Sequence, residues 1–209
     1  MNKTRIMRLG AIIVASLLGI VKMSAQPTGL WDFNSSNLTA TVGSPLTFTD
    51  GPGGATDLST TFGTTTGFGI ADIAGSPAIL MRFPAATNGQ GYLMPTPAAN
   101  GGGSTVNKYT LLMDVFYPTA SGTKIRPLVR TYNLGGTEQY IFVDATGAVG
   151  PGVIGSGGIN GPYVGALLPN TWYRLGIVVD AGNVTRVYTN GVEMGSFTGD
   201  ALDGFLAMD

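Results

Sequence analysis

The sequence predicts an all-β protein whose antiparallel strands pack as a sandwich or barrel, and three observations carry that expectation. The chain has 33 glycines, 12 prolines and only 11% charged residues, a composition of short strands joined by tight turns. No stretch after Val21 places apolar residues at the helical spacing over three turns, so no amphipathic helix is expected. Thr, Val, Ile, Tyr and Phe dominate the ordered-looking stretches, and in the longest of them apolar residues recur at every second position.

Residues 1–25 have the order of a secretory signal. Lys3, Arg5 and Arg8 come without an acid, an apolar run follows from Leu9 to Val21, and Ala25 offers a small residue ahead of Gln26-Pro27. A bilayer-spanning helix needs roughly 20 apolar residues, more than this run supplies. Export with removal of the signal is the expectation; an uncleaved anchor is the alternative, because Lys22 and Met23 crowd the cleavage point. Residues 26–209 then make one domain, secreted or held at the cell surface, with no membrane span after signal removal. It keeps seven basic and twelve acidic residues, a net charge of −5. No basic run remains, so nucleic acid is not an expected partner. Cysteine is absent, and stability must come from the core.

Short strand candidates come first, at residues 30–33, 46–49, 68–73, 79–83 and 92–94. The strongest strand is 108–117, ended by Pro118. Tyr109, Leu111, Met113, Val115 and Tyr117 are all apolar, whereas Thr110, Leu112, Asp114 and Phe116 are mixed, so one face reads as buried and the other as half-covered. Strands follow at 125–132 and 139–144, around a Leu134-Gly135-Gly136 turn. Across 171–180, Tyr173, Leu175, Ile177 and Val179 point one way, against Trp172, Arg174, Gly176 and Val178. Residues 184–189 and 192–197 form a hairpin, because Asn190-Gly191 supplies the two positive-φ positions of a type I′ turn. Residues 95–106 and 147–165 read as Gly-rich loops.

Absences narrow the chemistry. There is no histidine, which removes Ser-His-Asp and Cys-His machinery and the usual zinc sites. The only glutamates are Glu138 and Glu193, far apart in sequence. A glycoside hydrolase would need two carboxyls about 5–9.5 Å apart, and no aspartates sit at i, i+2 on one strand, so such an enzyme is a remote alternative. Gly150-Pro151-Gly152-Val153-Ile154-Gly155 matches the G-x-G-x-x-G spacing of dinucleotide sites. The Gly- and Pro-rich segment after it cannot open the helix that would present its amides to a pyrophosphate. It reads as a turn region.

Two aspartates invite a metal reading. Asp144, before Ala145-Thr146-Gly147, and Asp180, before Ala181-Gly182-Asn183, each read either as an oxygen ligand for calcium or as the cap of a turn, the commoner role of such an aspartate. For a ligand, the best cluster is Tyr132, Asn133, Glu138 and Tyr140, which face one another across a hairpin and combine aromatic and hydrogen-bonding groups. The alternative is that the two tyrosines are cross-strand partners covering a sheet surface.

Three passages together resemble the laminin-G-like, concanavalin A-like lectin/glucanase superfamily of bacterial type. They are Gly29-Leu30-Trp31-Asp32-Phe33, the strand from Tyr109 to Tyr117, and Asn170-Thr171-Trp172-Tyr173-Arg174 running through Val187-Tyr188-Thr189-Asn190-Gly191-Val192. The resemblance implies a jelly-roll sandwich of two curved antiparallel sheets, exported and often binding glycans or protein partners, in some members with calcium. The catalytic members carry a Glu-x-Asp-x-x-Glu strand that this sequence lacks. Similar domains usually continue beyond Asp203 with strands that return to the N-terminal one, so the resemblance implies a sandwich missing its last strands, with open edges that favour aggregation unless another chain covers them. The functional expectation is a non-catalytic recognition or adhesion module for carbohydrate or a cell-surface protein. The alternative is a structural or interaction piece of a larger exported protein.

Overall fold

The structure, a computed structural model, describes residues 27–85, 89–134, 137–154, 162–198, 201–204 and 206–208, without the side chains of 132–134, 137–139 and 152–154. The signal expected at residues 1–25 lies outside them. Among the described residues, no helix is long and apolar enough to cross a membrane.

Among the described residues, the regular secondary structure is almost all β-strand. In order come β1 (Thr47–Phe48), α1 (Ala55–Ser59), β2 (Thr61–Thr64), β3 (Ile79–Arg82), β4 (Tyr92–Leu93), β5 (Lys108–Phe116), β6 (Arg126–Leu134), β7 (Thr137–Val143), β8 (Val149–Ile154), β9 (Trp172–Asp180), β10 (Val184–Thr189) and β11 (Val192–Phe197). They form a four-stranded sheet β11-β10-β9-β5, a three-stranded sheet β6-β7-β8, and two ribbons, β1-β4 and β2-β3. All these strand pairs are antiparallel.

The two larger sheets share one core. Leu175, Ile177 and Val179 of β9 and Val187 of β10 are at most 2% exposed, and they cluster with Ile141 and Val143 of β7 and Val149 of β8. The alternation read on β9 is thus the inward and outward alternation of a pleated strand. The hairpin turn is also as expected: Asn190 and Gly191 have φ of 51° and 83°, and Thr189 pairs with Val192 across them.

Two expectations need correction. The stretch 147–165 is not all loop, because Gly150-Pro151-Gly152 lies within β8, paired to β7. Pro151 is tolerated there because β8 is an edge and the proline faces outward: Val149, of the same parity, turns its N–H and C=O to Val164 (3.0 and 2.9 Å) and away from β7. The candidates at 30–33 and 68–73 do not form strands; Leu30 and Ile73 make only isolated bridges, to Val42 and Ser76. The reason is visible in the packing. Among the described residues before Val106 no apolar side chain is buried, and the buried ones are Thr56 and Thr65.

Hydrogen bonds hold that region instead. Thr60 Oγ1 donates to Thr56 O (2.6 Å), Gly91 N donates to Thr56 Oγ1 (3.1 Å), and Thr65 Oγ1 donates to Asp72. A second polar clasp ties turn 201–204 to loop 100–107. The Asp203 carboxylate accepts from Ser104 N (2.8 Å), Ser104 Oγ (2.8 Å), Thr105 N (3.0 Å), Thr105 Oγ1 (2.7 Å) and Nδ2 of the fully buried Asn107 (2.8 Å). Asn107 Oδ1 accepts from Asp203 N in return (2.7 Å). These donors hold the Asp203 carboxyl well below its ordinary value of 3.8.

Replacing Ile177 by Ala empties a fully buried site and is expected to cost about 2–5 kcal/mol in chemical denaturation. Because Asp203 has a depressed folded-state pKa, its contribution is present at neutral pH and is lost as pH falls from about 4 through that depressed value. Asp203→Asn is therefore expected to lower the unfolding midpoint at pH 7, with the gap to wild type narrowing below pH of about 4.

Candidate functional site

The core claims one side of the four-stranded sheet, and the other side is open. Strand register sets what that open face carries, since directly opposed residues lie on one face. Successive rows are Lys108–Asp180, Thr110–Val178–Arg186, Leu112–Gly176–Tyr188–Glu193, Asp114–Arg174 and Phe116–Trp172.

The charged residues pair across strands. Arg174 Nε and Nη2 donate to the two oxygens of Asp114 at 2.8 and 2.7 Å, a bidentate fork, and Lys108 Nζ meets Asp180 at 2.9 Å. Arg186 Nε lies 3.8 Å from Glu193, whose Oε2 also accepts from the Tyr188 hydroxyl at 3.2 Å. Hydrogen bonding to Asp114 raises the Arg174 pKa, and hydrogen bonding to Lys108 lowers that of Asp180.

Between the ion pairs runs an apolar strip. A Cβ at Gly176 would lie 3.3 Å from Leu112 Cδ2 and 3.5 Å from Tyr188 Cβ, so the missing side chain lets these two neighbours close over the backbone. The strip passes beside the Arg174–Asp114 fork. At one end of the face the Phe116 and Trp172 rings pack at 5.3 Å, and the indole N–H donates to Ala71 O at 2.7 Å, which anchors the N-terminal region to the sheet. Aromatic and aliphatic surface beside fixed donors and acceptors suits a partner with both apolar and polar faces.

The residues singled out in the sequence fall elsewhere. Tyr132 and Asn133 on β6 oppose Gln139 and Glu138 on β7, whereas Tyr140 opposes Arg130 across a register shift. The side chains of Tyr132, Asn133 and Glu138 lie outside the described residues. Tyr140 is half-buried and packs on the fully buried Phe142 ring at 5.1 Å. Asp144 accepts from Thr146 N (2.7 Å), Thr146 Oγ1 (2.7 Å) and Ala148 N (2.9 Å), which is how an aspartate caps a turn. Burial pushes its carboxyl up, but those bonds prevail and hold it below the usual range. Asp180 is engaged by Lys108 and, at 3.2 Å, by Asn183 Nδ2. No group of three or more His, Cys, Asp or Glu stands together among the described residues.

Sequence reasoning missed the open face as a site. Its members were visible as the second, mixed face of two strands, but only the β5–β9–β10 register brings Asp114 to Arg174 and Leu112 to Tyr188. Also unforeseen is Arg126, 7% exposed, whose guanidinium stacks on Tyr117 at 4.3 Å while Nη2 donates to Asp144 O at 3.1 Å. Burial pushes the Tyr117 hydroxyl up to about 12. A hollow of about 440 Å³ near Leu38, Leu46, Phe48 and Phe62 is apolar, and the polar groups at its rim are spent locally, Asn37 on Thr39 and Asp57 on Gly53.

Comparison with protein-family models, curated protein sequences and solved structures finds no match.

The Asp114–Arg174 pair is solvent-exposed, and exposed pairs contribute little to stability. A double-mutant cycle of Asp114→Ala and Arg174→Ala is expected to give a coupling of about 0.2–1 kcal/mol in denaturant unfolding.

Proposed function

We propose that the chain is an exported, non-catalytic recognition module, a laminin-G-like jelly-roll sandwich whose open sheet face takes carbohydrate or a cell-surface partner. The observation that carries this reading is the Leu112–Gly176–Tyr188 strip with the Arg174–Asp114 fork beside it, set on a sheet backed by the core. A sugar ring presents an apolar face and a rim of hydroxyls. The strip offers contact to the former, and the fork, with the Tyr188–Glu193 pair, offers donors and acceptors to the latter. The non-catalytic part is supported by the lack of histidine and cysteine and by carboxylates that are committed to neighbouring cations or turn amides. Export is supported by the basic, apolar and small-residue order of residues 1–25.

A second reading, a structural or interaction piece of a larger exported protein, is favoured by one specific fact. The cations of the face that bear on the strip already have intramolecular partners, and a partner protein reads such a surface as well as a glycan does.

Binding of the purified chain to an array of neutral and acidic glycans, followed by polysaccharide pull-down, tests the first reading. A hit is expected to weaken roughly tenfold in Tyr188→Ala, since losing an aromatic contact with its hydroxyl is worth about 1.4 kcal/mol. Silence across both glycan classes would leave the second reading.

A further inference from the structure

In the rows of the open face every charged side chain has an opposite charge beside it. Lys108 Nζ meets Asp180 at 2.9 Å, Arg174 forks onto Asp114 at 2.8 and 2.7 Å, and Arg186 Nε lies 3.8 Å from Glu193. Three cations thus stand with three carboxylates, and these rows carry no net charge. The exported chain around them is acidic, with seven basic against twelve acidic residues.

These pairs are closed to charge but open to hydrogen bonding. The Arg174 side chain is 65% exposed and that of Asp114 30%. Their fork spends Nε and one N–H of Nη2, so Nη1 still has N–H groups to donate. Each Asp114 oxygen accepts one of those two bonds and can accept another. The Tyr188 hydroxyl, which donates to Glu193 at 3.2 Å, can itself accept. Donors and acceptors therefore lie side by side next to the Leu112–Gly176–Tyr188 strip.

A hydroxyl, which donates and accepts at once, fits that pattern. A carboxylate or sulfate only accepts. Seated against Arg174, it would also lie beside the Asp114 carboxylate, and that repulsion offsets its attraction to the guanidinium. To take the guanidinium for itself, it would have to turn Asp114 out of a bidentate pair, the strong form of such a contact.

We propose, on the reading of the open face as a glycan site, that it selects neutral, hydroxyl-rich glycans over uronic and sulfated ones, and that Asp114 sets this choice. Asp114 cancels the Arg174 charge and leaves a neutral rim of donors and acceptors beside the apolar strip.

Biolayer interferometry of the purified protein on immobilised polysaccharides matched in backbone but not in charge tests this. The pairs are hydroxyethyl cellulose with carboxymethyl cellulose, dextran with dextran sulfate, and β-mannan with polymannuronate. Wild type is expected to bind the neutral member of at least one pair roughly tenfold more tightly than its charged counterpart. That affinity is expected to change less than about twofold between about 50 and about 500 mM sodium chloride, because no net charge is engaged. Asp114→Asn keeps the size of the side chain but frees the Arg174 charge. It is expected to gain roughly tenfold in affinity for the charged member at the lower salt and to lose that gain at the higher. The pair is exposed, so this variant is expected to keep the wild-type circular dichroism spectrum. A charged polysaccharide bound as tightly as its neutral counterpart, or a wild-type affinity that falls steeply with salt, would overturn the selection and leave the glycan site standing. A folded Asp114→Asn variant that gains nothing would overturn the role of Asp114. Silence of wild type on all three pairs would overturn the selection together with the glycan reading.

Discussion

The unbroken antiparallel ladder between β5 and β9 is the constraint on which the rest of the molecule depends. Nine residue pairs run from Lys108↔Asp180 to Phe116↔Trp172 without a shift. Because side chains alternate with a period of two, this register alone sends Leu175, Ile177 and Val179 into the core and Arg174, Gly176 and Asp180 to the open face. A slip by one residue would bury the arginine and expose the leucine. The cost of an unpaired charge in the core makes that alternative untenable, so core and face are set together by one pairing.

The two ends of the ladder are fixed differently. At the Lys108 end the clamp is polar, with Asn100 gripping the strand backbone and Asn107 and Asp203 exchanging hydrogen bonds next to it. At the Trp172 end it is aromatic, with the indole tied to Ala71 and stacked on Phe116. Both clamps recruit segments outside the sheet. They explain how a chain without disulfides holds long loops against a small core.

Much of the C-terminal half was legible because its strands are half-buried, and half-burial writes itself as alternation. Tyr109 to Val115 and Tyr173 to Val179 show this, and Asn190-Gly191 announces its own turn. Strand β8 was illegible because Gly150, Pro151 and Gly152 mask the pattern, and only its position at an edge makes the proline acceptable. In the N-terminal ribbons, β1, β3 and β4 were legible as the short runs at 46–49, 79–83 and 92–94, whereas β2 was not, and 30–33 and 68–73 read as strands they do not form. Among its described residues this region buries Thr56 and Thr65 and no apolar side chain, so its hydrophobic period is weak. The face residues were legible singly, but their pairing is a property of register between strands 60 residues apart in the case of Asp114 and Arg174, which no local pattern encodes.

The threonine-centred N-terminal region has a thermodynamic consequence. Heat capacity changes on unfolding come mainly from apolar surface newly exposed to water, and this region, whose apolar side chains are at most half-buried among the described residues, has less to expose than the sheets. Opening it would change the heat capacity less than melting the sheets around Ile177 and Phe142. Its local stability should therefore follow a flatter curve with temperature than the dome of the sheets. The two parts of one chain thus respond to cooling in different ways, and the ribbons gain less from the hydrophobic term that makes the core strongest at an intermediate temperature.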